Sequence, residues 1–176
     1  MLVRDELDAQ FMTGLSRLEK TLFRLEAQRT CLAWAFAEIA GRPGVVLELG
    51  LGLGRTYDHL RRHLPGRELF VFDRVNVAHA DCQPTADQLV LGEIEQTLPA
   101  LHDRIAGKVV LANSDLGSFD RESNFAVATM SARLLPPVMA PGGIIMSDLP
   151  LQLDGFIEVP LPEGAREGRY YLYRRG

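Results

Sequence analysis

An α/β domain built on a mainly parallel sheet is what this sequence predicts, and three observations carry that prediction. From Val45 onward, short apolar runs alternate with helical patterns, the order of elements that puts helices between parallel strands. The stretch VVLELGLGLGRTYDHL, residues 45–60, reads as strand, glycine loop and helix in direct succession. Five acids, Glu48, Asp73, Glu93, Asp115 and Asp148, fall at or just past the ends of predicted strands. In open sheets of this kind, ligands sit beyond the carboxyl ends of the strands, where strand order reverses.

The elements follow in order. The first forty residues contain no proline, and Phe11, Leu15, Leu18, Leu22, Leu25, Leu32, Phe36 and Ile39 recur mostly at spacings of four and three. That is helix, in one piece or in two broken near Gly14 or Thr30. Gly41, Pro43 and Gly44 stop it. Val45, Val46 and Leu47 form the first strand, ended by Glu48, and Gly50, Gly52 and Gly54 shape the loop before a helix closed by Pro65 and Gly66. The second strand is ELFVF, ending in Asp73; the segment RVNVAHADCQPTA after it is long enough for one short helix at most. Gln88 to Leu91 is the third strand, Ile94 to Ile105 a helix, and Lys108 to Ala112 the fourth strand, running into Asn113, Ser114 and Asp115. A helix from Glu122 to Leu135 stops at Pro136 and Pro137, and a glycine turn leads to a fifth strand ending at Asp148. The tail reads as an antiparallel hairpin made of GFIEVP and RYYLYR.

Composition fits one globular domain: 176 residues, 47% hydrophobic and 24% charged. A net charge of −4 without a long basic run gives no reason to expect nucleic-acid binding. The start, MLVRDELDAQ, lacks an apolar signal region, and no segment approaches the ~18 apolar residues that span a bilayer. The expected compartment is the cytoplasm, where Cys31 and Cys82 stay reduced.

Four stretches, taken in order, resemble the class I S-adenosylmethionine-dependent methyltransferases: VVLELGLGLG, FVFDR, VLGE, and the pair KVVLANSD with LLPPVMAPGGIIMSD. The resemblance covers residues 44 to 174. It implies a three-layer, Rossmann-like sandwich whose seven-stranded sheet has six parallel strands and an antiparallel last one. Residues 44–176 would be the S-adenosylmethionine-binding domain, and residues 1–43 a helical segment serving as lid or oligomer interface, most simply in a homodimer. The implied cofactor is S-adenosyl-L-methionine. Gly50, Gly52 and Gly54 would approach its methionine part, with Glu48 contacting it directly or through water, or instead holding nearby backbone amides. Asp73, with Arg74 beside it, lies nineteen residues after Gly54, close to the ~20 of a ribose-binding acid. Gly92, Glu93 and Ile94 would flank the adenine. Asn113 to Asp115 would border the amino-acid moiety and the transferring methyl, with Asp115 orienting or deprotonating the acceptor.

The resemblance also sets limits. An [N/D]PP[Y/F] tetrapeptide, as found in enzymes that methylate amino groups of nucleobases or glutamine, is absent; Asn113, Ser114, Asp115 and Leu116 stand there. Asp115 and Asp148 echo two metal-binding carboxylates of catechol-type O-methyltransferases, but Leu149 replaces the third ligand, so no obligatory metal is expected. The expected acceptor is a small molecule. Two other readings remain at this level: a non-catalytic S-adenosylmethionine-binding sensor or partner subunit, and a nicotinamide-dependent oxidoreductase, disfavoured because Arg55 leaves the loop as GxGxG. Blander roles compete residue by residue. Glu93 and Asp148 can be helix caps, and His59 and His63 a solvated pair instead of metal ligands. His79 and His102 stand alone, Trp34 suits a core or interface, and Arg29, with Gln28, reaches the site only if the first helix folds over it.

Overall fold

The structure, a computed structural model, describes residues 14–118 and 120–176. Its elements run α1 (Arg17–Glu38), β1 (Val45–Leu49), α2 (Arg55–His63), β2 (Leu69–Asp73) and a 3₁₀ turn (Ala80–Cys82). They continue through β3 (Leu89–Leu91), α3 (Ile94–Ala100), α4 (His102–Ile105), β4 (Val109–Ser114) and α5 (Arg121–Leu134) to β5 (Met139–Ser147), β6 (Phe156–Val159) and β7 (Tyr171–Arg175). The seven strands form one sheet in the order β3-β2-β1-β4-β5-β7-β6. β7 is antiparallel to both β5 and β6, and all other pairs are parallel. Strand order therefore reverses between β1 and β4, the crevice where sheets of this kind take ligands.

Alternation along the strands builds two cores. Val46, Val71, Leu111, Met146 and Leu172 face α1 and α2, packing with Ala27, Cys31, Leu32, Ala35, Tyr57 and Leu60. Leu47, Leu49, Phe72, Ala112 and Ile145 face the other way, against Ile94, Leu98, Ile105 and Leu135. Helices thus cover both faces, the condition for a buried parallel sheet whose strands are apolar throughout.

The first helix is continuous. Ser16 caps it reciprocally with Glu19: the Glu19 N–H donates to the Ser16 hydroxyl (3.2 Å) and the Ser16 N–H to the Glu19 carboxylate (2.7 Å). Gly14 precedes the helix, and nothing breaks it at Thr30. Its second half packs on the protein's own sheet through small residues four apart, Ala27, Cys31 and Ala35. Leu18 and Leu22 of the same stripe stay 79% and 50% exposed, and Phe11 lies outside the described residues.

Other boundaries shift for physical reasons. Glu48 does not end β1 but sits inside it, fully buried opposite Asn113. The helix expected over 94–105 divides at Leu101, just after Pro99, which has no N–H to carry the ladder onward. The glycine turn expected before the fifth strand lies within β5, as an irregularity in its pairing with β4. After β2, only the 3₁₀ turn forms. No helix among the described residues is long and apolar enough to cross a membrane.

Candidate functional site

A cleft of ≈ 1020 Å³ opens over the carboxyl ends of the central strands. One side is lined by Gly50, Gly52, Asp73, Arg74, Glu93 and Ile94. The other is lined by Asp115, Leu116, Gly117 and Asp148, with Arg24, Leu25 and Gln28 of α1 among its walls. Of the residues expected to touch a cofactor, Glu48, Gly54, Gly92 and Asn113 lie outside this lining, and all but Gly92 are buried.

The three loop glycines have different reasons to be glycine. All three have positive φ: 95°, 48° and 81° for Gly50, Gly52 and Gly54. A Cβ on Gly50 would stand 2.5 Å from the Asp115 carbonyl oxygen, and one on Gly54 would stand 2.7 Å from the Cys82 Cβ. Those two positions let the loop pack against its own protein. A Cβ on Gly52 would meet nothing within 4 Å, so only Gly52 presents bare backbone to open space.

Asp73 holds that loop in place. Its Oδ2 accepts from the N–H groups of Leu51 (2.8 Å) and Gly52 (3.0 Å), and Oδ1 accepts from Arg74 (2.7 Å) and, at longer range, Val75 (3.4 Å). Sequence spacing placed Asp73 near a ribose; it did not reveal that the same carboxylate fixes the glycine turn.

Glu48 and Asn113 form a buried pair beneath the loop. The Asn113 Nδ2 donates to Glu48 Oε2 at 2.8 Å, while Glu48 Oε1 and Asn113 Oδ1 have no partner. Burial, reinforced by the Asp115 charge, raises the Glu48 carboxyl well above its ordinary range. Of the two contacts weighed for Glu48, backbone amides are not what it holds: its hydrogen bond is to the Asn113 side chain.

Asp115 and Asp148 follow adjacent strands and lie side by side, the Asp148 N–H donating to the Ser114 carbonyl at 3.1 Å. Asp115 Oδ2 accepts from Gln28 (3.1 Å) and Arg24 (3.5 Å), so α1 does fold over the site, through Arg24 and Gln28. Arg29 points away, exposed, toward His59. Asp148 caps no helix; it accepts the N–H groups of Leu116 (3.3 Å) and Gly117 (2.8 Å). Burial first, then the neighbouring Asp115, pushes the Asp148 carboxyl up to about 7.

The remaining candidates, Glu93 excepted, fall outside the cleft. His59 and His63 lie ring to ring (4.2 Å) and against Phe36 of α1 (5.7 and 5.4 Å), His59 half-buried and His63 exposed to solvent. Trp34 is half-buried beside the Arg174 guanidinium. Glu93 precedes α3 without making a side-chain cap. Among the described residues, no three His, Cys, Asp or Glu side chains gather as a metal site. Sequence reasoning missed Arg24, whose i,i+4 spacing to Gln28 was the available signal, and Tyr170, whose place depends on hairpin register.

The site suits the cofactor that the resemblance implies. It offers an open backbone at Gly52, a carboxylate at Asp73 for vicinal hydroxyls, and an apolar wall at Ile94 for a flat base. Beneath the loop, the buried Glu48 Oε1 and Asn113 Oδ1 have no hydrogen-bond partner.

Comparison with known proteins agrees. A family model described as S-adenosyl-L-methionine methyltransferase matches residues 15–175. The crystal structure of an S-adenosyl-L-methionine methyl transferase from Silicibacter pomeroyi DSS-3 superposes with a TM-score of 0.88 at 45% identity, covering 93% of this chain and 100% of that one. The 1,6-didemethyltoxoflavin-N1-methyltransferase of Burkholderia thailandensis, solved with 1,6-didemethyltoxoflavin and S-adenosylhomocysteine, shares the fold at a TM-score of 0.52 and 18% identity, covering 98% of this chain and 85% of its own. TrmN from Thermus thermophilus shares it at 0.56 and 18%, covering 82% of this chain and 48% of its own. No match was found among curated proteins.

Proposed function

The chain belongs to the family of S-adenosyl-L-methionine methyltransferases whose model spans it, and from that premise we propose that it methylates a small molecule held between α1 and the ends of β4 and β5. One observation carries the proposal. The cleft is continuous from the cofactor side, at Asp73 and Ile94, to an acidic chamber at Asp115 and Asp148 walled by α1.

When bound, S-adenosylmethionine supplies a methyl group on a positively charged sulfur, open to in-line displacement. The residues of the chain do the rest. Asp73, which orders the glycine loop, would receive ribose hydroxyls, and Ile94 and Glu93 on the cleft wall would hold the adenine. Asp115, fixed by Gln28 and Arg24, orients the acceptor. Alignment of nucleophile, carbon and sulfur supplies most of the acceleration, as proximity does for other displacements. Arg24, Leu25 and Gln28 exclude water from one side of the chamber.

A small acceptor suits a chain whose chamber is walled by its own first helix and whose net charge of −4 offers no footprint for a polyanion. We place the protein in the cytoplasm and pair it with a second copy through the exposed Leu18 and Leu22. The deciding experiment is a methyl-release assay across a metabolite panel, following formation of S-adenosylhomocysteine. At least one small molecule is expected to turn over. Turnover of RNA or protein substrates alone overturns the proposal.

A further inference from the structure

The sheet's register sets three polar groups in a row on the α1 side of the cleft. Ser114 pairs with Ser147, which puts Asp115 next to Asp148, and Ser147 pairs with Tyr171, which puts Tyr170 opposite Asp148. Tyr170 is 1% exposed, with the Arg24 guanidinium beside its hydroxyl. Burial and the charges of Asp115 and Asp148 hold that hydroxyl in its protonated form, leaving it a donor beside two carboxylates. Asp115 and Asp148 line the open chamber side by side, with the buried Tyr170 behind them, so the pair is the polar group an acceptor meets.

Position and restraint separate the two acids. Asp115 Oδ2 already holds Gln28 and Arg24. Asp148 is fixed by the backbone N–H groups of Leu116 and Gly117 and faces the Asp115 carboxyl, and a Cβ on Gly117 would overlap its Oδ2, so the loop clamps it firmly. We propose that Asp148 is the proton acceptor of the reaction, and that the methyl acceptor is a hydroxyl- or amine-bearing molecule, not a carboxylate.

This rests on the methyltransferase reading above and names the substrate class of the same site. In the step, a lone pair on the acceptor heteroatom forms the bond to the methyl carbon. The carbon–sulfur bond breaks with its electron pair on sulfur, and the acceptor's proton moves to an ionised Asp148 oxygen. One positive and one negative charge are consumed, leaving a neutral thioether, a neutral carboxyl and the methylated product. A carboxylate acceptor has no proton to give and would be repelled by both acids.

The charged and titratable groups around Asp148 are Asp115 after β4, Tyr170 before β7, Arg24 on α1, Arg169 on the cleft wall and Glu48 under Asp115. Asp115 is the positioning neighbour. Its charge makes Asp148 a better base than an isolated aspartate, and a catalytic base works best with a proton affinity near the working pH.

The test begins without substrate. Full-length protein labelled with ¹³C at the aspartate carboxyls is titrated by NMR as wild type, Asp148→Asn and Asp115→Asn. One carboxyl should titrate near neutrality, vanish in Asp148→Asn, and move down by about a pH unit or more in Asp115→Asn. The second arm uses S-adenosylmethionine with pools of phenols, alcohols, amines and carboxylic acids. Turnover is expected from the hydroxyl or amine pools, rising with pH through neutrality, and Asp148→Asn should lower it ~10²- to 10⁴-fold. Binding of S-adenosylhomocysteine, followed by calorimetry, should stay within about threefold of wild type in Asp148→Asn. If S-adenosylhomocysteine binds but every aspartate titrates in the ordinary acid range, or the carboxylic-acid pool is the one methylated, the proposal is overturned and the family reading stands. If S-adenosylhomocysteine does not bind at all, the underlying reading falls with it.

Discussion

Replacing Asp73 by alanine tests the cofactor side of the cleft. Four N–H groups converge on this carboxylate: Leu51 and Gly52 on Oδ2, Arg74 and Val75 on Oδ1. A hydrogen bond to a charged partner contributes ~1.5–3 kcal/mol where water is excluded, and less where the donor is exposed, as at Gly52, Arg74 and Val75. The alanine variant should therefore lose about 1–3 kcal/mol of stability, mostly from the clamp on Leu51 and Gly52. For a chain of this size that is roughly 3–10 °C in melting temperature. Cofactor binding loses the acceptor for two ribose hydroxyls and the ordered loop together, ~2–4 kcal/mol, or ~30- to 1000-fold in affinity. Asp73→Asn keeps one acceptor oxygen, so it can serve the loop or the ribose but not both, and should fall between. Calorimetry with S-adenosylhomocysteine, paired with denaturant melts of all three proteins, gives both quantities. Alanine-variant binding within threefold of wild type would show that Asp73 does not receive the ribose. An unchanged melt would show that the clamp contributes nothing to the fold.

Gly50→Ala, whose Cβ would stand 2.5 Å from the Asp115 carbonyl, should destabilise the fold more than Gly52→Val does. Gly52→Val should cost only the ~1–2 kcal/mol of a side chain at positive φ while abolishing S-adenosylhomocysteine binding, as melts and calorimetry can compare. Glu48 and Asp148 both have raised proton affinities in the fold, so the native state keeps protons that the unfolded chain has lost above pH ~4–5. Stability should accordingly be fully present only below pH ~4 and decline as pH rises from there through about 7, and Glu48→Gln should flatten that decline in melts between pH 5 and 8. Sedimentation at micromolar concentration should show a dimer that Leu18→Lys with Leu22→Lys converts to monomer; a wild-type monomer refutes the pairing. Turnover should survive chelator, and loss that magnesium restores would assign Asp115 and Asp148 to a metal.

The central strands were legible because each is a short apolar run between turn residues, and a parallel sheet buried on both faces needs little more. What failed was local reading of non-local facts. A glutamate after three apolar residues looks like the end of a strand, yet Glu48 is held inside β1 by Asn113 on β4, far along the chain. The leucine stripe of the first helix looks like its buried face throughout. Its later members Leu32 and Ile39 are buried with Ala27, Cys31 and Ala35, whose small side chains let the helix come close to the sheet, while Leu18 and Leu22 stay outside. Tyr170 carried no signal of its own, since only the pairing of β7 with β5 sets it opposite Asp148.

The glycine motif shows why a matching pattern leaves roles unassigned. Gly50, Gly52 and Gly54 look equivalent in sequence, but two of them serve the protein's contact with itself and one faces open space. Gly50 packs on the Asp115 carbonyl, and the Asp115 N–H in turn donates to the Leu49 carbonyl at 3.0 Å. The glycine turn is therefore built directly onto Asp115, so on the proposed reading the cofactor loop and the acceptor side share one support. Asp73 fixes the turn from one side and α1 fixes Asp115 from the other, through Gln28 and Arg24. Binding energy then need not be spent on ordering the loop, because its donors are already committed before any ligand arrives. Of the α1 residues lining the cleft, Gln28 and Arg24 bear on Asp115. Gln28→Ala should weaken acceptor turnover while leaving S-adenosylhomocysteine affinity within about threefold of wild type. An equal loss of both in the same protein would mean that the two halves of the cleft are not separately supported.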